Sequence, residues 1–153
     1  MRLILQRVSS ASVSIEGETI AAIGVGVLVL VGVEKGDGPG QVSKAAEKLR
    51  HLRIFEDVTG RMNRDIVDAG GSMLIVSQFT LAGSLAKGRR PSFSGAEAPD
   101  RAEPLIQELV EELRGMGVPV ETGRFRARMK VGLVNDGPVT FLLELDSGAQ
   151  DKT

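Results

Sequence analysis

The chain has 153 residues, 42% apolar and 25% charged, with a net charge of −1, a balance that predicts one folded domain with its own core and excludes a disordered segment or a globally basic nucleic-acid binder. There is no Cys, which removes disulfides, thiolate nucleophiles and Cys-based zinc sites and fits a reducing compartment. Aromatic residues are limited to five Phe, so the core must be Val, Leu and Ile, and a single-strand binder built on stacked aromatics is disfavoured.

Residues 1–8 alternate and read as a strand with Leu3 and Leu5 on one face. They are too short and too charged, at Arg2 and Arg7, to be a secretory leader. Ser9-Ser10 interrupts the pattern, and residues 11–15 read as a second strand. Residues 19–33 form one long strand or two successive ones, bent near Gly24 and Gly26. The run 27–31 is apolar on both faces and predicts a central strand. The longest apolar run, 20–33, is too short and too rich in Gly to span a bilayer.

A helix is predicted from Pro39 to about Leu52, with Val42, Ala45, Ala46, Leu49 and Leu52 at helical spacing. Residues 57–68 are polar and turn on the surface. Residues 72–77 read as a buried strand that runs into Gln78-Phe79-Thr80-Leu81. Residues 82–99 lack periodicity and read as a long ordered loop, a kind of segment that is often functional. Asp100 and Glu103 suggest a capping box for a second helix, with Pro104 in its first turn and an apolar face of Leu105, Ile106, Leu109, Val110 and Leu113. A short strand is predicted at 118–120 and a long one at 123–134. The strand 139–145 pairs back on the latter through Asn135-Asp136-Gly137-Pro138, a hairpin corner by composition. Residues 147–153 read as a frayed tail. The whole is a single α+β domain over 1–146, a curved sheet with two packed helices.

Three stretches carry candidate chemistry. Ser77-Gln78-Phe79-Thr80 leaves a buried strand and exposes hydroxyls, an amide and backbone N–H groups suited to a developing oxyanion; the plainer reading is a strand end with Phe79 in the core. A hydroxyl nucleophile would need a base, and the only His, His51, ends an amphipathic helix among Arg residues, which argues against a Ser-His-Asp triad. Arg124, Arg126, Arg128 and Lys130 are spaced by two, so a strand there would place them on one face. That stripe suits a phosphate backbone, or is a solvated face with an acidic partner such as Glu144. Lys87-Gly88-Arg89-Arg90 adds cations on the long loop, suited to phosphate contact. No P-loop, dinucleotide fingerprint, zinc motif or calcium loop is legible, so neither a metal nor an organic cofactor is expected.

S-Q-F-T-L at 77–81 and N-D-G-P-V-T at 135–140, in this order and separation, resemble the D-aminoacyl-tRNA deacylases. The resemblance extends to Q-R-V at 6–8, L-R-I-F at 52–55, K-G-R-R-P-S-F at 87–93 and M-K-V-G-L-V at 129–134. It implies a cytoplasmic homodimer whose sheet, largely antiparallel, is barrel-like in the dimer. It also implies a cis Gly137-Pro138 peptide inserted into the partner's pocket, where it rejects L-residues and admits D-residues and glycine. Arg7 would brace that turn and Met129 would contact substrate. Ser77, Gln78, Phe79 and Thr80 would form the catalytic segment around the 3′-terminal adenosine and the ester, with N–H groups near Gln78 and Phe79 on the ester carbonyl. The reaction would use the 2′-hydroxyl of the terminal ribose rather than a side-chain nucleophile. Phe79 favours this family over its relative acting on misacylated L-alanyl-tRNA. Lys87, Arg89, Arg90, Arg124, Arg126 and Arg128 are assigned to the tRNA on charge alone.

One departure stands out. The resembled family usually has a small residue where Arg126 stands, in F-G-A or F-A-A; here the run is F-R-A. The added charge either widens contact with tRNA or crowds the pocket. It also motivates an alternative, a non-catalytic RNA- or DNA-binding dimer on the same scaffold. A purely structural assembly module is the third reading.

Overall fold

The computed structural model describes residues 1–146; the tail expected at 147–153 lies outside the described residues. Its spine is β1 (Arg2–Ile15). One edge of β1 is covered by β8 (Lys130–Glu144), and the other is shared between β3 (Gly26–Gly32), opposite residues 2–8, and β2 (Glu18–Ile23), opposite 11–15. Those pairings are antiparallel. β3 then pairs in parallel with β6 (Ser72–Ser77), and β6 in parallel with β7 (Val120–Thr122). The sheet is therefore mixed, a point that an expectation of a largely antiparallel sheet leaves out. It curls until β2 approaches β6 and β7, which nearly closes it.

Parallel neighbours need long crossovers. α1 (Pro39–His51) lies in the connection from β3 to β6, and α2 (Pro99–Gly115) in that from β6 to β7. Both helices cover the same face of the sheet. Leu3, Leu5, Val29, Val31 and Ile75 meet Val42, Ala46, Leu49, Leu109 and Leu113 there. Each of these Val, Leu and Ile side chains contributes about 1.5–3 kcal/mol on full burial. The opposite face fills the inside of the curl with Val8, Val13, Ile23, Leu28, Leu74 and Val76. β3 supplies both layers, which is why 27–31 is apolar on both faces.

Several boundaries differ from the sequence reading. Ser9 and Ser10 do not end the first strand. They are an exposed irregularity where β1 passes from β3 to β2 and shifts register against β8. α2 begins at Pro99 with Ala98 as its cap and no side-chain cap bond, so Asp100 and Glu103 form no capping box and Pro104 falls inside the helix. β7 lies two residues later than expected, and residues 123–129 are not strand. The polar stretch after α1 holds a two-stranded hairpin, β4 (Phe55–Glu56) and β5 (Met62–Arg64).

The largest correction concerns Asn135-Asp136-Gly137-Pro138. The flanking segments do not pair with each other. Both belong to β8 and both pair with β1: Val8 faces Asn135, and Gln6 faces Thr140. Four residues of β8, 136–139, thus stand opposite the single residue Arg7. The motif is a bulge projecting from one continuous strand, not the corner of a hairpin. Local composition favours leaving the extended line but does not say whether the chain returns in the same direction.

Candidate active site

β6 delivers Ser77 to the rim of the sheet. The N–H of Gln78 donates to the carbonyl of Val31 at 2.7 Å, and the chain then folds into a 3-10 turn, Phe79–Ala82. The turn lies against the end of β3 because residue 32 is Gly: a Cβ there would stand 2.8 Å from Leu81 Cβ and 3.0 Å from the Gln78 carbonyl oxygen. Gln78 N–H is thereby committed to the sheet. The N–H groups of Phe79 and Thr80 open the turn and have no acceptor among the described residues. The Gln78 side-chain amide donates to the Thr80 hydroxyl.

Ser77, Gln78 and Phe79 form one side of a cavity of about 660 Å³. Phe125, Arg126 and Met129 line it from the 123–129 segment, and Phe93 and Glu97 from the long loop; Val31, Val76 and Ile106 add apolar surface. Phe79 is 60% exposed and meets Phe93 edge-on, with ring centroids 5.2 Å apart and planes at 61°. It is not a core residue, so the plainer reading of S-Q-F-T does not hold. Three of the five Phe, at 79, 93 and 125, line this one cavity. Two of them carry no site signal in the sequence: alternation with Arg124 and Arg126 would turn Phe125 to the opposite, apolar face of a strand, and Phe93 stands in an aperiodic loop.

The basic stripe is not a strand face. Arg126 has φ of +65°, a left-handed conformation that breaks the extended line and that favours glycine. Of the two small residues expected there, glycine has a backbone reason and alanine does not. Arg124, Arg126, Arg128 and Lys130 are nonetheless all exposed. Glu144 is not their counterion; it pairs with Arg2 at 3.6 Å. Among the described residues Arg124, Arg126 and Arg128 have no acidic partner. Arg126 alone of the three lines the cavity, while Arg124 borders an adjoining groove that shares Ser77 and Phe125. Lys87, Arg89 and Arg90 sit on an exposed excursion closed by Ser84 and Ser92, whose backbones exchange hydrogen bonds of 2.7 and 2.9 Å.

The Gly-Pro bulge lies outside this cavity. The Gly137-Pro138 peptide is cis, and residues 136–138 are exposed. Gly137 has φ of +133°, and a Cβ there would stand 2.6 Å from Val139 Cγ2. Arg7, only 5% exposed, faces the bulge. Its Nε donates to the Asp136 carbonyl at 3.1 Å and its Nη1 to the Ile54 carbonyl at 2.8 Å, with the Asp136 and Glu56 carboxylates at 3.5 and 3.9 Å. Of the expected site residues, Ser77, Gln78, Phe79, Arg126 and Met129 line the cavity and Arg7, Gly137 and Pro138 meet at the bulge; Thr80, next to Phe79 in the turn, does not line the cavity, nor do Lys87, Arg89, Arg90, Arg124 and Arg128. His51 joins neither set and pairs with Glu47 at 3.2 Å on α1. Among the described residues no three potential metal ligands gather.

Comparison with known proteins bears on this arrangement. The sequence model described as D-Tyr-tRNA(Tyr) deacylase matches residues 4–144. A D-aminoacyl-tRNA deacylase of Syntrophotalea carbinolica is 56% identical over 144 residues, covering 94% of this chain and 97% of that one. One from Thermomicrobium roseum is 55% identical over 154 residues, covering 99% and 100%. Among solved structures, the c-Myc DNA unwinding element binding protein superposes with a TM-score of 0.91 at 38% identity, covering 95% of this chain and 99% of that one. A probable eukaryotic D-amino acid tRNA deacylase shares the fold, with a TM-score of 0.80 at 20% identity. The chain belongs to the D-Tyr-tRNA(Tyr) deacylase family.

Proposed function

We propose that the protein hydrolyses the ester of D-aminoacyl-tRNA, releasing the D-amino acid and free tRNA, and acts in the same way on glycyl-tRNA. Water adds to the ester carbonyl, the bond to the terminal ribose oxygen breaks, and that oxygen leaves with a proton. The carrying observation is the cavity: free N–H groups at the start of the 79–82 turn beside a wall of three Phe. The rings suit the terminal adenine. The N–H groups of Phe79 and Thr80 suit the oxyanion, and replace the pair that includes Gln78. The cavity is lined by no Cys or His, and its one carboxylate, Glu97, accepts from the Ala98 N–H; the 2′-hydroxyl of the substrate, as the resemblance implies, is the group that activates water.

The protein works as a homodimer in which Gly137 and Pro138 of one subunit enter the cavity of the other, their carbonyls meeting the α-amino group and their backbone excluding an L side chain. Two features support this. The bulge is exposed and does not line the chain's own cavity, and β8 exposes Leu133, Val134, Phe141 and Leu142 along its length, an apolar edge that isolated proteins rarely leave open. Lys87, Arg89, Arg90, Arg124, Arg126 and Arg128 receive the phosphates of the tRNA. The site is cytoplasmic, where aminoacyl-tRNA is made and used.

The test is release of amino acid from D-tyrosyl-tRNA and L-tyrosyl-tRNA in parallel. Turnover of the first alone is expected; equal release, or none, overturns the reading. The likeness to a protein named for DNA binding favours one second reading, a dimer that binds nucleic acid without cutting the ester. A binder would retain D-tyrosyl-tRNA with its ester intact.

A further inference from the structure

We infer that Asn135 is the positioning residue that fixes the projection of the Gly137–Pro138 bulge, and so sets how strictly the site separates D from L substrates. The inference rests on the bulge acting as the stereochemical wall.

Between the pair Val8–Asn135 and the pair Gln6–Thr140 the ladder is interrupted, and the bulge has no strand partner of its own. Its neck is closed by a side chain instead. Asn135 Nδ2 donates to the carbonyl of Arg7 at 2.9 Å and to the carbonyl of Val139 at 2.9 Å. One amide nitrogen thus bridges the strand that faces the bulge and the far end of the bulge itself. Arg7 answers from the other side, its Nε donating to the Asp136 carbonyl at 3.1 Å. The single residue opposite the bulge takes a hydrogen bond through its carbonyl and gives one through its guanidinium.

This closed loop of contacts fixes the two ends of a four-residue excursion relative to β1. Val139, buried at 7% exposure, is the anchor on the return side. Gly137 has no side chain to contribute and Pro138 has no N–H, so neither can hold its own position. An ionised Asp at 135 would keep the shape of Asn but could donate to neither carbonyl, and would set a negative charge against both. The bulge would then pivot on Arg7 alone. A wall that works by steric exclusion loses selectivity before it loses turnover, because a displacement near 1 Å admits the excluded side chain while the ester still reaches the oxyanion donors.

The experiment compares Asn135→Asp with the unmodified protein by kcat/KM on D-tyrosyl-tRNA and L-tyrosyl-tRNA, with thermal midpoint and far-ultraviolet circular dichroism on the same samples. The ratio of D to L turnover is expected to fall by about tenfold or more, mainly through a rise in L release. A lowered midpoint with an unchanged ratio makes Asn135 a purely structural residue and overturns the inference. Asn135→Ser, too short to bridge both carbonyls, is the second variant if the Asp form does not fold. Gly137→Val in the same assay separates the two claims. If it destroys discrimination while both Asn135 variants preserve it, only the positioning role fails. If it leaves discrimination intact, the wall itself is not at the bulge and both claims fail.

Discussion

Arg126 holds a backbone angle of +65° and presents a guanidinium at the cavity. A residue with a Cβ in that conformation costs about 1–2 kcal/mol relative to glycine. Arg126→Gly is therefore expected to raise thermal stability by about 1 kcal/mol. If the guanidinium meets a phosphate of the tRNA end, the same change raises KM several-fold with kcat held, and lowers the slope of log affinity against log salt by about one. A stabilised variant with unchanged KM and slope would show that the charge does not touch the nucleic acid. The residue also marks a limit of reading by pattern. The exposure of Arg124, Arg126, Arg128 and Lys130 was legible from their spacing. That spacing assumed extended backbone, and residue identity does not report a left-handed angle at an Arg. Gln78 is similar: it lines the cavity, but the commitment of its N–H to Val31 depends on β3 lying alongside.

Elements defined by their own periodicity were legible. α1, β3 and β6 follow from the spacing of Val42, Ala45, Ala46 and Leu49, from the doubly apolar run 27–31, and from the buried run 73–76. Elements defined by their partners were not. β8 is one strand because β1 is long enough to template both of its halves, a fact absent from either half. The hairpin of β4 and β5 matters to the site because Ile54 and Glu56 hold Arg7. Asp57 closes that hairpin. Its carboxylate accepts from the Thr59 hydroxyl, and from the N–H groups of Thr59 and Arg61, which lowers its pKa below the ordinary 3.8. Asp65 is lowered likewise, by the N–H of Asp68 and then by Arg50. A carboxylate with a depressed pKa in the folded state stabilises above its unfolded value, and that stabilisation is lost as pH falls through the folded value. The urea midpoint is thus expected to hold steady down to about pH 4 with respect to these two groups and to decline below it. Asp57→Asn should start from a lower midpoint at neutral pH and decline less steeply in acid; an identical acid slope would remove Asp57 from the account.

At the scale of the molecule, the division of the site into a cavity set and a bulge set makes a quantitative test possible. A protein altered at Gly137–Pro138 keeps its cavity, and one altered at Phe79 keeps its bulge. In the dimer proposed above, each site would join a cavity to the other subunit's bulge. Where the change at the bulge is bulky enough to abolish turnover, mixing equal amounts after dissociation and reassembly should give half heterodimers, each with one intact site, and so recover about a quarter of normal turnover. No recovery, in a mixture shown to have exchanged subunits, would mean that wall and cavity meet within one chain. Membership in the deacylase family was legible from S-Q-F-T-L and N-D-G-P-V-T taken together. The separation of the two motifs in space was implied only by the resemblance, because distance along a chain says nothing of which surface each motif finally occupies.

The clustering of Phe79, Phe93 and Phe125 has an optical consequence. The chain has no Trp and no Tyr, so it is nearly transparent at the wavelengths where proteins are usually quantified and emits almost no ultraviolet fluorescence. A Trp installed in place of Phe93 would be the sole emitter in the molecule and would stand at the cavity wall. Quenching of that one indole by free adenosine would then report occupancy of the pocket directly, without radiolabel and without turnover.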